Sequence, residues 1–488
     1  MDMLSYIVFL PFLTALLVCI FRVDTTIIKM AAMLSSIIVL ILSLMVVSNF
    51  DPNGGMQFVQ ITPWIESFGI TYHVGVDGIS IVLLVVLSII MPTIYLYMWN
   101  NEKQGYWYNM MLLQAAVGGA IVSLNLIQFY LFWELMLIPV FIMIGRYGVD
   151  NHRFNAMKIF LFTAFGSLAM LYAIFYLGYA FFAANGYWSF DLYDLSKLQL
   201  DSGTATILAG AFLLAFAIKI PLVGFHTWLA PSYGSSPVPA IIIMSGIMAK
   251  LGVYGIWRFM YNTIFDKEIE VFVPLVIFLS LAGMIYFAIT AIKEDNLKRM
   301  FAYASASHIS LLALGLVLAN AYAWNGSLFF IGAHALSSAG IFLMIGLIAS
   351  RTGTVSIASL GGIATVAPKF TFFFMFFALS IVGLPGTGGF AAELTIIIGA
   401  FEYDFWIGVV ASMTLIAAIT FVFWMLQRAI FGPTAKDVEG FKDLNARELI
   451  MILPFFVLLL ATGIFPSYFM DIFEPLINTL LSQRGGAL

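Results

Sequence analysis

Residues 215–255 read AFAIKIPLVGFHTWLAPSYGSSPVPAIIIMSGIMAKLGVYG, and three features of this stretch decide the fold. Lys219 and Lys250 each sit inside an apolar run, and between them Pro221, Gly224, Pro231, Pro237 and Pro239 interrupt any continuous helix. A charge at the centre of a membrane helix costs at least about 2.5 to 3.5 kcal/mol, so it is kept where it meets a partner or a wet cavity. Freed backbone groups are tolerated at that depth only when they line protein or water. The stretch therefore predicts a membrane helix broken beside a functional lysine.

The rest of the chain agrees. Of its 488 residues 62% are hydrophobic and 9% are charged, where a soluble domain carries roughly 25% charged residues. Runs of about twenty apolar residues, enough to span roughly 30 Å of hydrocarbon, recur throughout. They place helices near 3–22, 27–48, 79–99, 109–125, 127–146, 157–182, 204–226, 238–261, 271–292, 298–319, 322–349, 368–402, 406–430 and 449–471. The expected fold is all-α integral membrane with about fourteen transmembrane helices. The N-terminal run begins with Asp2 instead of a basic region and lacks a small-residue cleavage site, so it reads as the first helix and not as a leader. The single cysteine, Cys19, excludes an intrachain disulfide and a four-cysteine cluster held by this chain alone. A net charge of −4 argues against nucleic-acid binding.

Basic loops stay cytoplasmic, which gives the orientation. Loops after odd-numbered helices hold fifteen Lys and Arg, from Arg22 to Arg447, whereas the other side holds Lys197, Arg258, Lys267 and Arg484. Both termini and the stretch 49–76, which has no Lys or Arg, are expected in the periplasm of a bacterial inner membrane. Lys219 and Lys250 are the two basic residues left inside the membrane.

Two acids accompany them: Glu134 in LIQFYLFWELMLIPVF and Glu393 in GGFAAELTIII. Static ion pairs between helices would explain four such charges only as structure. Proton transfer explains the residue types as well, because burial disfavours the charged form of both glutamate and lysine and lets each exchange a proton. A lysine whose proton affinity depends on the nearness of a glutamate is a pump element. His308 and His334 lie mid-span on successive helices and can relay protons through two nitrogens; bis-histidine haem ligation is a rival for them that leaves the lysines unexplained. His226 in FHTWLAP fits a capping role as well as a catalytic one, and His73 and His152 read as surface residues. A second break, ALSIVGLPGTGGFAAELTII, carries Gly383, Pro385, Gly386, Gly388 and Gly389 just before Glu393. Paired breaks in two halves mark a transporter built from repeats.

Glu134 and Lys219 are 85 residues apart, and so are His308 and Glu393; the implied shift of 174 also superposes Gly166 on Gly340. Five helices per half fit such a shift, and an odd number makes the repeats inverted. The expected organisation is residues 1–108 (three helices and a periplasmic loop), 109–261 (first repeat), 262–431 (second, inverted repeat) and 432–488 (cytoplasmic loop and last helix), with one broken helix per repeat.

The motifs FWELMLIPVFIMIG, AIKIPLVGFHTWL, IMAKLGVYG, SASHIS, HALSSAG and GLPGTGGFAAEL, in this order and across nearly the whole chain, resemble those of the antiporter-like membrane subunits of proton-pumping NADH:quinone oxidoreductase, respiratory complex I. Glutamate at 393 instead of lysine, and no long amphipathic helix after the last span, look most like the NuoM type. The resemblance implies that Glu134 and Lys219 are an interacting pair in the cytoplasm-facing half-channel, Lys250 a central relay, His308 and His334 bridging groups, and Glu393 the terminal site of the periplasm-facing half. It implies no cofactor on this chain, with FMN, iron–sulfur clusters and quinone in other subunits, and as partners other membrane subunits including neighbouring antiporter-like ones, with lipids around them. The stretch TWLAPSYGSSPVPA departs from the family, which often has an acid and a histidine after the proline where Ser232 and Tyr233 stand here. Relatives in cation/proton antiporters and membrane-bound hydrogenases share the fold, so the same resemblance admits those functions too.

Overall fold

The computed structural model describes residues 3–261 and 264–485. Asp2, on which the leader reading rests, and the boundary at Asn262 between the two expected repeats lie outside the described residues. The chain is almost wholly helical, as it must be where no water is present to satisfy backbone groups. Among the described residues twelve helices are long and apolar enough to cross a membrane. Gln104–Val122, and the interrupted pair Pro368–Ile381 and Gly388–Tyr403, stand beside them, which is compatible with fourteen crossings.

Burial sorts these helices into an inner and an outer layer. The apolar windows of Val238–Tyr261 and Ala321–Thr352 are wholly buried within the chain, and Leu297–Val317 nearly so, whereas 39% of His152–Asn185 and of Ile269–Lys293 is buried. The outer helices turn Phe165, Tyr172, Phe278 and similar side chains outward, toward what would be lipid. The inner three carry Lys250, His308 and His334.

The stretch expected as a plain loop is a β-hairpin, β1 (Gln57–Ile65) and β2 (Ile70–Val76), paired antiparallel with Gln60 opposite Val74. It defines one face of the molecule. Ser5 Oγ donates to Gln60 Oε1 at 2.7 Å, the Leu124 amide to the His73 carbonyl at 2.9 Å, and Asp191 pairs with His73. The first helix therefore begins on this hairpin face. Arg484 near the other end of the chain bonds Asp266 and Glu270, beyond the hairpin-face end of the Val238–Tyr261 span. The opposite face gathers the segments around Asn100, Ser235, Asp295, Ile357, Pro433 and Arg447.

The same helix start occurs once on each face. Asn125 accepts from the Ile127 and Gln128 amides and is bridged to Asp191; Asn296 accepts from Lys298 and Arg299 and is bridged to Ser356. Such a pair is what two inverted units produce. The uniform shift of 174 does not survive, however. The two caps are 171 residues apart, the left-handed glycines that end the longest helices, Gly186 and Gly353, are 167 apart, and the left-handed glycines in the breaks, Gly224 and Gly386, are 162 apart. Helices and connections are both shorter in the second half, most of all Pro368–Ile381 against Ser202–Lys219, so the offset drifts. At the break, position 381 and not 393 is the counterpart of Lys219.

Several sequence-based boundaries also move. The 157–182 span runs from His152 to Asn185, and the 368–402 span is split at 382–387. The last span stops at Ile464 because Pro466 cannot continue it, and a short helix, Glu474–Gly485, follows. Arg258, Lys298 and Lys29, read as loop charges, are all buried, as is His73, read as a surface residue. Each has found a polar partner: Asp77, the Ser236 carbonyl, Glu102 and Asp191.

Candidate functional site

The first break positions Lys219. Its helix, Ser202–Lys219, must stop because Pro221 has no N–H to continue the ladder. The freed Ile218 carbonyl is taken by Trp228 Nε1 at 3.1 Å and the Ala217 carbonyl by the Leu222 amide at 3.0 Å. The Gly224 amide donates to His226 Nδ1, so His226 serves the backbone of the break. Lys219 is left as the last helical residue, buried, with its Nζ 4.8 Å from the Trp133 ring centroid and no hydrogen-bond partner among the described residues.

Glu134 follows Trp133 at a kink where Leu126–Leu135 meets Leu137–Tyr147; Pro139 removes the amide that would bond the Leu135 carbonyl. Its carboxylate faces Ser167 and lies within electrostatic range of Lys219, but the two do not form a direct ion pair. A small cavity, with room for about one water, is lined by Lys219, Thr163, Trp228, Met248 and Ala249 and so leads from Lys219 to the Lys250 helix. That helix lies close because Gly252 lets it: a Cβ there would meet the Phe216 carbonyl at 2.9 Å.

Lys250 is fully buried in Ala249–Gly255, between two π-helical segments, Met244–Met248 and Ile256–Tyr261. Such widened turns are frequent at functional sites. Its Nζ donates to the Ser245 carbonyl. Ser245 Oγ is 3.4 Å from Ser305 Oγ, which sits one turn before His308, so hydroxyls join the helices of the two halves. Lys250 and His308 are both within electrostatic range of His334, whose Nδ1 is 3.2 Å from Ser338 Oγ. The two imidazole centroids are 6.2 Å apart.

His308 Nδ1 lies 2.8 Å from Glu393 Oε1, with both side chains almost completely buried. The contact has ion-pair distance but lacks hydrogen-bond alignment, so neither atom counts as satisfied. Phe330 packs edge-on against both imidazoles, and the rings are wholly enclosed by protein; this packing does not fit a haem between them. The second break serves Glu393 differently from the way the first serves Lys219. Helix Gly388–Tyr403 begins after the break and carries Glu393, while Gly383, with φ +77°, passes over the carboxylate. A Cβ at 383 would meet Glu393 Oε2 at 2.8 Å. Gly383→Ala is therefore expected to destabilise the protein by more than ~1 kcal/mol and to displace the carboxylate, lowering both the thermal midpoint and the turnover of the assembled protein.

Of the six sequence-derived ionisable residues, Lys250, His334, His308 and Glu393 form one buried run, and Lys219, with Glu134 in electrostatic range, adjoins the Lys250 helix across the small cavity. The chain matches the model of the family described as NADH:quinone oxidoreductase/Mrp antiporter, transmembrane, over residues 123–420, which hold Glu134 through Glu393. It belongs to that family. A relative named NADH-quinone oxidoreductase subunit M, from Rhodobacter capsulatus, is 32% identical over 470 residues, covering 93% of this chain and 90% of the relative. One of the same name from Pseudomonas aeruginosa is 32% identical and covers 99% and 98% of the two chains. Among solved structures, a chain of respiratory complex I from Thermus thermophilus with bound NADH superposes with a TM-score of 0.88 at 26% identity, covering 98% of both. A chain of the Mrp complex from Dietzia shares the fold, with a TM-score of 0.85 at 21% identity over 98% of this chain and 97% of that one. Family membership explains the fold; which groups act in it is a matter of the local geometry just described.

Sequence reading missed Asp77, Tyr254 and Arg258, which form a buried hydrogen-bonded cluster. Two signals were available. GVDGIS has the form of a helix cap, and Arg258 follows Lys250 by two helical repeats of four.

Proposed function

We propose that this chain is a proton-translocating membrane subunit of a bacterial NADH:quinone oxidoreductase, and that its protons pass from Glu134 to Lys219 to Lys250, then through His334 and His308 to Glu393. Quinone reduction in other subunits drives the transfer, and FMN, iron–sulfur clusters and quinone belong to those subunits. The observation that carries this reading is that Lys250, His334, His308 and Glu393 follow one another through the buried centre, with Lys219 across a small cavity from the Lys250 helix and the half-buried Glu134 within electrostatic range of Lys219. Static pairing would bring each acid against its base. Instead Lys219 stands apart from Glu134 and is unpaired among the described residues, a costly arrangement in hydrocarbon unless the proton moves. The histidine order follows proximity, since His334 faces Lys250 and His308 touches Glu393.

The fold shared with an Mrp chain supports a second reading, a subunit of a cation/proton antiporter, and a hydrogenase subunit belongs to the same class. Identity near one third with subunit M relatives over nearly the whole chain favours the first. Purification of the native assembly tests it: flavin and iron–sulfur subunits that oxidise NADH must accompany the chain, and their absence would refute the assignment. The proposed units are 1–108, 109–261, 262–431 and 432–488.

The hairpin face is proposed to be periplasmic, with both termini on that side. In a variant whose exposed Cys19 is replaced by serine, a cysteine at Asn53 should react with a membrane-impermeant maleimide added to intact spheroplasts. One at Lys103 or Asp437 should react only after the membrane is opened. The reverse pattern would invert the topology.

A further inference from the structure

The Val238–Tyr261 span continues beyond Lys250 toward the hairpin face, and its end holds a buried polar cluster that the proposed path does not use. Tyr254 follows Lys250 by four residues and Arg258 by eight, which keeps them near one side of the helix. Tyr254 Oη donates to the Ile121 carbonyl at 2.8 Å and accepts from Arg258 Nε at 3.1 Å. Arg258 Nη2 donates to Asp77 Oδ1 at 2.7 Å, with the two side chains 1% and 5% exposed. Asp77 also caps Gly78–Tyr97, accepting from the Ser80 amide. Next to the cluster, Trp257 and Tyr261 pack edge-on to Trp324, with centroids 5.1 and 5.5 Å away.

A hopping proton needs links that each accept one proton and release another. Guanidinium has five donors, no acceptor, and does not give up its proton. Tyr254 is occupied on both sides, its hydrogen held by a carbonyl and its oxygen by Arg258. A proton leaving Lys250 in this direction meets a hydroxyl already engaged as donor and as acceptor, then a fixed cation, and an arginine in a pore is an electrostatic barrier to protons. Trp257, Tyr261 and Trp324, all fully buried, pack together beside it.

We propose that Arg258, held by Asp77 and Tyr254, is the seal that closes the hairpin face to protons on Lys250, so that they leave only sideways toward His334. The inference rests on the proton path proposed above. It adds a positioning residue that handles no proton itself but keeps the first half from becoming an open pore.

The test uses the assembled complex in liposomes, with Arg258→Gln alone and with Arg258→Gln and Asp77→Asn together. The double substitution removes both charges and avoids leaving a buried carboxylate unpaired. Quinone reduction should proceed at least as fast as in the unsubstituted complex, while the proton gradient fails to build. An imposed pH gradient should decay several-fold faster. Arg258→Lys keeps a cation but, unlike guanidinium, one that can release its proton, so it should leak more than the unsubstituted complex and less than the double variant. A tight membrane with normal pumping in the double variant would overturn the proposal. So would loss of pumping and turnover together without a leak, or failure of both variants to assemble, either of which would make the cluster a conductor or a clamp. Lys219→Ala in the same liposomes keeps the two readings apart, since unchanged pumping there defeats the path itself whatever Arg258 does.

Discussion

Lys219→Ala is expected to remove nearly all proton translocation by the assembled complex, and with it much of the coupled quinone reduction. In the proposed path Lys219 is the exchangeable group between Glu134 and the Lys250 helix; the rest of the cavity lining is Leu137, Ile159, Thr163, Trp228, Met244, Met248 and Ala249. Without it a charge must cross that stretch unaided, at a cost of at least about 2.5 to 3.5 kcal/mol. At about 1.4 kcal/mol per tenfold, the rate falls by roughly two orders of magnitude. Proton uptake per NADH oxidised, measured in liposomes, reads this directly. Lys219→Arg separates mechanism from scaffolding, because arginine keeps the charge but does not release its proton. It should pump no better than alanine while the complex assembles normally. Recovery of pumping with arginine would show that Lys219 is only a structural cation.

Glu393→Gln should stop translocation at the other end of the line. Glutamine keeps the shape and hydrogen-bonding capacity beneath Gly383, so the helix after the break should fold as before. What it lacks is a proton to pass to or from His308, 2.8 Å away. Pumping should fall tenfold or more, a barrier increase of at least ~1.4 kcal/mol. Turnover should fall with it, because the transfers along the line are linked. A shorter acid, Glu393→Asp, should retain part of the activity, since it still carries a proton but reaches His308 less well. Normal pumping by the glutamine variant would exclude Glu393 from the path.

Much of this was legible in the sequence because the bilayer imposes a strict rule on it. Lys219, Lys250, Glu134 and Glu393 stand out against apolar neighbours, and each break announces itself through Pro and Gly. The reading was weaker wherever a charge lies near the end of a span. Arg258, Lys298 and Lys29 look like loop residues in a linear count, yet all three are buried against partners that are distant in the chain. Asp77 and Arg258 are separated by 181 residues, and nothing in local pattern links them. His73 was misjudged for the same reason, since its partner Asp191 arrives from a later connection.

The equal spacing of Glu134 to Lys219 and His308 to Glu393 was a clue of mixed value. It fits two units of similar build, each opening on an asparagine-capped helix. It wrongly equated the backbone positions of Lys219 and Glu393, because Lys219 ends the helix before its break and Glu393 follows its own. A residue count carries no information about unequal segment lengths, and only the positions of caps and left-handed glycines revealed the drift.

The sequence by itself determined that the chain lives in lipid, about how often it crosses, and which side chains pay the cost of burial, since hydrocarbon penalises every polar atom one residue at a time. Only the tertiary structure decided which of those side chains meet. Lys219 faces an aromatic ring and a small cavity, His308 touches Glu393, and Arg258 meets Asp77. Contacts across helices depend on crossing distance and on which face each helix presents, and these are set by packing between segments far apart in the chain.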